Sequence, residues 1–471
     1  TACLGGVRGA SKRSPYSIIA KSEENMEEKL QKGLSEFIAL CDLKKINKHF
    51  KEDAILRILD WIGCAISGAK YPQVEISKKY LESQYQNGEC TVLGTPKKLP
   101  PRAAVFLNGI AGHVCELDDG HRTAIGHPGS ITVPVALGMA EKYGCSGKDV
   151  LKAVILGYDM YTRLGRVVNP SHYRTWHTTG TCGTLASTAT AASLLKLSSE
   201  EVNNALGIAA TMAGGLVESF GTQAKAINIA EACQNGVDAA ELAKLGLTGS
   251  HSALLGKKGF VAATCFDSPK LENLENPSEN TLVSDTAFFK VYSSCGHTNS
   301  PLDLVFKFLK AINPNPEDIE DIQIKTYKIS VDLTSQLKVE TEDEAKFSLP
   351  FCSAIAIIHK AVSLKYFSDE IRNDPKVLAL AKKVTVSEDP EATDRFPKRQ
   401  AELIVRMKDG KVYEYKTLDA TDEASTEQVV EKFKNAASVL SEEDQEKIIN
   451  FVLHIEEQKD LSDLVAILRK I

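Results

Sequence analysis

One stretch concentrates the groups that could move protons or hold an anion. Between residues 113 and 130 the chain carries His113, Glu116, Asp118, Asp119, His121, Arg122 and His127, with Gly120, Gly126, Pro128 and Gly129 among them. Carboxylates, imidazoles and a guanidinium at this density suit a proton donor, a proton acceptor and an anion contact working side by side. Burying such groups is costly unless they pair with one another or with a ligand. The plain alternative is a solvated loop with surface ion pairs. The glycines and Pro128 turn the backbone sharply between the acids and His127, which suits a site better than a helix face.

Three other places set polar groups in apolar surroundings. His177 is followed by Thr178, Gly180 and Gly183 at the opening of a helical run, and backbone N–H groups at a helix start favour an anion. A buried histidine there is more often structural. Lys225 precedes an apolar helix, where a snorkelling surface lysine is the ordinary reading. Lys290, Cys295 and His297 stand where the chain changes character, and their plain reading is a linker.

The elements that must position these groups are mostly helical. Apolar residues recur at helical period at Leu30, Leu34, Phe37, Ile38 and Cys41, and again at Ile55, Leu59, Ile62 and Ile66. Helices are expected at 102–115 and 131–143, on either side of the charged stretch, and then at 147–166, 183–196, 199–213 and 229–246. Ser198 and Glu201 have the spacing of a capping box. Frequent Ala and Gly allow close helix packing in one large core. After a polar linker near residue 271, residues 322–332 and 383–387 alternate like strands. Residues 401–416 read as a hairpin turning at Asp409-Gly410. Helices at about 302–312 and 347–364 are interleaved, and the chain is helical again beyond Ser425. The expected organisation is a leader over 1–25, a helical domain from 26–275 with 423–471, and an α+β lid over 276–422.

Composition narrows the classes. At 471 residues, with 43% apolar and 25% charged, the chain is an ordinary globular protein too long for one simple core. A net charge of −6 without a long basic run argues against nucleic acid as a partner. No apolar run is long enough for a membrane span. Eleven scattered cysteines without a C-x-x-C motif point to a reducing compartment. A cytoplasmic location is expected. The early Arg8, Lys12, Arg13 and Lys21, with no acid before Glu23, make a mitochondrial transit peptide the alternative. A divalent ion on His121, His127 and the Asp pair is a competing chemistry, without any familiar ligand spacing.

Taken in order, Arg102-Ala-Ala-Val-Phe-Leu-Asn108-Gly-Ile-Ala-Gly-His113, then Glu116-Leu-Asp118-Asp119 and His127-Pro128, resemble the MmgE/PrpD family. That family includes 2-methylcitrate dehydratase and cis-aconitate decarboxylase. Further landmarks are Leu59-Asp60-Trp-Ile-Gly63, His177 with Gly180 and Gly183-Thr184, and Lys225. Lys290 and Tyr292 follow with Cys295 and His297, then Glu344-Ala-Lys346-Phe-Ser348-Leu-Pro350. The resemblance spans about residues 30–460. It implies a mostly α fold, with a large helical domain closed by the C-terminal helices and a smaller α+β lid, a homodimer, and activity without metal or organic cofactor. The pocket it implies is lined by Glu116, Asp118, Asp119, His127, His177, Lys225, Lys290 and His297.

On that footing the expected activity is a lyase on a small di- or tricarboxylate, with dehydration first and decarboxylation second. His127 and His177 would form the proton-transfer pair, Asp118 or Asp119 would orient a histidine, and Lys225 would stabilise developing charge. Glu116, Arg122, Thr178, Lys290 and His297 would meet the substrate. The chain departs from the family where Asp-Asp-Thr-Trp is common, carrying Asp118-Asp119-Gly120-His121, and after Lys225, where the usual His and Gly are Asn228 and Ala230. Such changes in a pocket alter which acid fits. Epimerisation of an amino- or imino-dicarboxylate such as iminodisuccinate is the same-scaffold alternative.

Overall fold

The structure is a computed structural model, and it describes residues 26–283, 287–419 and 424–471. The expected leader lies outside the described residues. The larger part is a stack of helices: α1 (Met26–Leu40), α2 (Lys48–Gly68), α3 (Pro72–Gln84), α4 (Pro101–His113), α5 (Gly129–Tyr143), α6 (Gly147–Val168), α7 (Thr178–Leu195), α8 (Ser199–Met212) and α9 (Lys225–Lys244). At its centre is α7, whose 18 residues are all buried against α5, α6, α8 and α9.

A helix buried on every side needs small residues, and its hydroxyls need partners inside the helix. Thr184, Thr188 and Thr190 each donate to the carbonyl one turn back, at 2.9, 2.8 and 2.9 Å. Gly236 of α9 lies so close to α7 that a Cβ there would come within 2.1 Å of Ser187 Oγ. The capping box read at Ser198 and Glu201 opens α8 with both of its hydrogen bonds in place. The helices Thr426–Ala436 and Glu442–Leu453 return to α2, adding Phe433 and Val452 to the larger core.

A second core is built on strands. After the short pairs β1 (Cys90–Thr91) with β2 (Lys98–Leu99), and β3 (Gly120–His121) with β4 (Ala287–Phe288), come β5 (Ile319–Thr326), β6 (Val384–Glu388), β7 (Ala401–Met407) and β8 (Val412–Thr417). The sheet order is β6-β5-β7-β8, parallel between β5 and β6 and antiparallel elsewhere. Ile322 and Ile324 of β5 and Leu403 and Val405 of β7 meet Phe308 and Phe351 from the helices Asn299–Ile312 and Leu349–His359. The hairpin turns at Asp409-Gly410, where Gly410 takes φ +84°.

Two expectations need correction. The strand read over 322–332 ends at Thr326, and Lys328–Thr334 is a helix. Its buried residues, Ser330 and Thr334, are spaced by a helical turn, and Ser330 Oγ donates to the His297 carbonyl at 2.9 Å. The break places Tyr327 against His297. Helices α7 and α9 begin at Thr178 and Lys225, earlier than the expected 183 and 229. Thr and Gly are weak helix formers in isolation, and tertiary burial overrides that preference. His177 thereby becomes the residue that opens α7, and Lys225 the first residue of α9.

The two parts close over the charged stretch. The β3–β4 pairing sets Gly120 opposite Phe288 and His121 opposite Ala287. Tyr71 Oη donates to Glu342 at 2.8 Å, Gln73 Nε2 to Asp343 at 3.0 Å, and Lys346 Nζ to the Val114 carbonyl at 3.2 Å. Among the described residues, no helix is long and apolar enough to cross a membrane.

Candidate functional site

The charged stretch is buried and internally paired. His113, the last residue of α4, meets Asp118 Oδ2 through Nδ1 at 2.7 Å, and Ser130 Oγ donates to the same oxygen at 2.7 Å. On its other side His113 Nε2 receives Lys225 Nζ at 2.7 Å. An ammonium can only donate, so Nε2 accepts and Nδ1–H points at Asp118; the neighbours set the tautomer. Lys225 also pairs with Glu116 Oε1, whose second oxygen takes Lys290 Nζ at 3.3 Å. One continuous chain thus runs Ser130, Asp118, His113, Lys225, Glu116, Lys290. The Lys225 ammonium lies 5.3 Å from the Phe220 and Phe347 ring centres.

Burial would by itself raise both carboxylates. Lys225 and then Lys290 overcome it at Glu116, and His113 and His127 overcome it at Asp118, holding each below the usual carboxylate range. Burial depresses the imidazoles. His127 falls to about 3, with Lys290, His113 and Lys225 adding to burial and Asp118 opposing it. His177 and His297 are also pushed well below the usual value by burial first. All three rings are therefore neutral at pH 7.

His127 Nδ1 donates to the Asp119 carbonyl at 2.6 Å, which leaves Nε2 as an acceptor. His177 carries the opposite tautomer, because Asn228 Nδ2 donates to its Nδ1 at 3.1 Å, so Nε2 bears the hydrogen. Its ring packs edge-on to Phe220, 4.8 Å between centres. His297 Nδ1 meets Tyr327 Oη at 2.8 Å. A narrow cavity of about 30 Å³ is lined by Glu116, His127, Lys225, His297, Tyr173 and Arg399 among others. A second, of about 20 Å³, is lined by His113, Glu116 and Lys225 among others.

Not every expected residue joins this cavity. The Asp119 carboxylate turns away, accepting from Tyr158 Oη at 2.8 Å and the Gly129 N–H at 3.0 Å, with Arg57 at 3.8 Å. Burial pushes it up to about 7, and it acts on His127 through its backbone. Arg122 pairs with Asp419. Thr178 is buried, its hydroxyl 3.4 Å from Asn169 Nδ2. His121 is turned into its own loop, accepting the Ala124 N–H at 3.2 Å, so the set proposed for a metal does not assemble through it. His113, Asp118 and His127 do bring ligand atoms within 4.8 Å of one another. Those atoms are engaged in hydrogen bonds, and the Lys225 ammonium beside them repels a cation.

Residues 32–272 match the MmgE/PrpD N-terminal domain and residues 292–457 the MmgE/PrpD C-terminal domain. The chain belongs to the MmgE/PrpD family. It is 30% identical over 434 residues to a cis-aconitate decarboxylase of Homo sapiens, covering 88% of this chain and 89% of that one. It is 27% identical over 450 residues to a cis-aconitate decarboxylase of Aspergillus terreus, covering 88% and 91%. A mitochondrial 2-methylcitrate dehydratase of Yarrowia lipolytica is 22% identical over 422 residues, covering 84% and 80%. These relatives are lyases, and the epimerase alternative gains no support from them.

Within this MmgE/PrpD chain, sequence reasoning assigned no role to three site residues. His113 was the most legible, since it closes a helix five residues before Asp118. Ser130 and Arg399 carried no local signal. Gly126 makes the turn before His127 at φ +155°, and a Cβ there would come within 1.9 Å of Tyr161 Oη. Gly126→Ala is expected to destabilise the fold by about 1–3 kcal/mol and to lower kcat by displacing His127. Thermal melting and steady-state kinetics read the two effects separately.

Proposed function

We propose that this protein is a lyase acting on a small unsaturated tricarboxylate of the cis-aconitate type, releasing carbon dioxide by the acid–base chemistry of its own side chains. The observation that carries this reading is the convergence of Lys225 and Lys290 on one buried carboxylate, Glu116, at the wall of a cavity that also presents His127 and His297. A substrate carboxylate there meets the Lys225 ammonium, and one glutamate only half compensates Lys225 and the buried Lys290 together. In the reaction the bond to one carboxylate breaks and carbon dioxide leaves. The electron pair of that bond forms a new double bond and displaces the old π pair onto the carbon beside another carboxylate. That charge is enolate-like, and fixed ammonium groups stabilise it as it develops. A proton delivered to the same carbon completes the product. We assign that transfer to His127.

Burial holds His127 neutral, and an anionic substrate raises its pKa. The sign follows: binding takes up a proton, and affinity strengthens as pH falls. Tricarballylate, a saturated tricarboxylate, is expected to bind more tightly at about pH 6 than at about pH 8. Calorimetry in two buffers of different ionisation enthalpy reads the uptake, and proton release on binding would contradict it.

Dehydration of a hydroxy-tricarboxylate is the second reading, favoured by the likeness to the 2-methylcitrate dehydratase. Proton NMR in D₂O with cis-aconitate, 2-methylcitrate and citrate, with His127→Ala as control, distinguishes the two. A terminal methylene product from cis-aconitate supports decarboxylation, and olefinic signals from a hydroxy acid support dehydration. No product from any of the three overturns the lyase reading. We further take the working form to be a homodimer, on the family resemblance, in a reducing compartment. The ten free cysteines among the described residues support the latter, in the cytoplasm or, if the basic leader is a transit peptide, the mitochondrial matrix.

A further inference from the structure

Arg399 precedes β7 and is only 5% exposed. Its Nη1 donates to the Gly296 carbonyl at 3.0 Å, and the guanidinium lies 4.7 Å from the Phe288 ring centre. Its Nε–H is buried without a hydrogen-bond partner. Among the described residues no carboxylate pairs with this guanidinium. The Asp419 carboxylate accepts from the Arg399 backbone N–H at 2.9 Å and pairs with the Arg122 guanidinium. A buried guanidinium without a counter-charge is costly, and the cost falls when an anion stands before it. Arg399 lines the same cavity as Glu116, Lys225, His127 and His297.

We propose that Arg399 is a second carboxylate anchor of this site and sets its preference for polycarboxylates. One substrate carboxylate meets the Lys225 ammonium. Another meets the planar fork of Arg399, whose paired N–H groups match a carboxylate in a way an ammonium cannot. The substrate is then held at two points in the cavity that His127 lines. The lyase reading supplies only the identity of the substrate; the anchoring itself is a statement about binding.

Calorimetric titration of succinate against succinamate, which replaces one carboxylate by an amide, tests it on the full chain. Wild-type protein is expected to prefer succinate by about 30-fold, the scale of one charge-assisted contact. In Arg399→Gln the preference should collapse to about threefold or less, and Arg399→Lys, which keeps the charge and loses the fork, should lie between. A merely structural role would weaken both ligands alike and leave the preference intact. A preference retained in Arg399→Gln overturns the proposal, as does wild-type protein that binds no diacid. Should Arg399→Gln fail to fold, an undiminished preference in Arg399→Lys overturns the fork. If the expected pattern appears while cis-aconitate is left unchanged, the anchor stands and the decarboxylase reading falls.

Discussion

Lys225→Met is expected to lower kcat/KM on cis-aconitate by about a thousandfold or more, beyond what one neutral oxyanion donor contributes. Lys225 does three things at once. It donates to His113, it neutralises Glu116, and it presents positive charge to the cavity. As the first residue of α9 it also stands at the positive end of a helix, where a cation is unfavourable unless an anion compensates it. Glu116 supplies that anion. Without Lys225, Glu116 keeps Lys290 alone and its pKa rises toward the ordinary range. Its folded value in the wild type is depressed, so the stability it contributes is present above the unfolded carboxylate pKa and is lost as pH falls through the depressed value. The substitution should therefore narrow the acid side of the stability profile as well as remove activity. Lys225→Arg should not rescue, because a planar fork cannot replace an ammonium held between Phe220 and Phe347. Kinetics with melting curves across acidic pH check both parts; activity within tenfold of wild type would show that Lys225 does not meet the developing charge.

His127→Gln is the second large effect. A proton-transfer histidine contributes about 10²- to 10⁴-fold, and kcat should fall in that range while tricarballylate binding at pH 8 changes little. The neighbouring acids should separate by role. Asp119 orients His127 through its carbonyl, which Asp119→Asn keeps. Asp118 takes the hydrogen bond of His113 and stands 3.4 Å from His127 Nδ1, so Asp118→Asn removes the carboxylate charge that faces both rings. The larger kcat loss is expected in Asp118→Asn, and the reverse order would move the orienting role to the Asp119 carboxylate.

Much of this protein is legible in its sequence. The helical periods, the Ser198 capping box, the Asp409-Gly410 hairpin and the mostly α class with a smaller α+β part all rest on local spacing, and local spacing survives into the fold. So does the density of charge between His113 and His127, because groups that must compensate one another in a buried place are easily found when they lie close in the chain.

Local sequence could not decide which side chains face the cavity. Asp118 and Asp119 are adjacent and chemically alike, yet the turn sends one to His113 and the other to Tyr158 and Arg57. Arg122 looked like an anion contact and is held by Asp419, while Arg399, which carried no local signal, is enclosed beside Gly296 and Phe288. Thr178–Gly183 looked like a loop and is helix, since neighbours on every side outweigh weak propensity. Residue type and spacing determine which charges the chain can bring together; packing between distant segments determines which of them remain unpaired, and an unpaired buried charge is what a ligand answers.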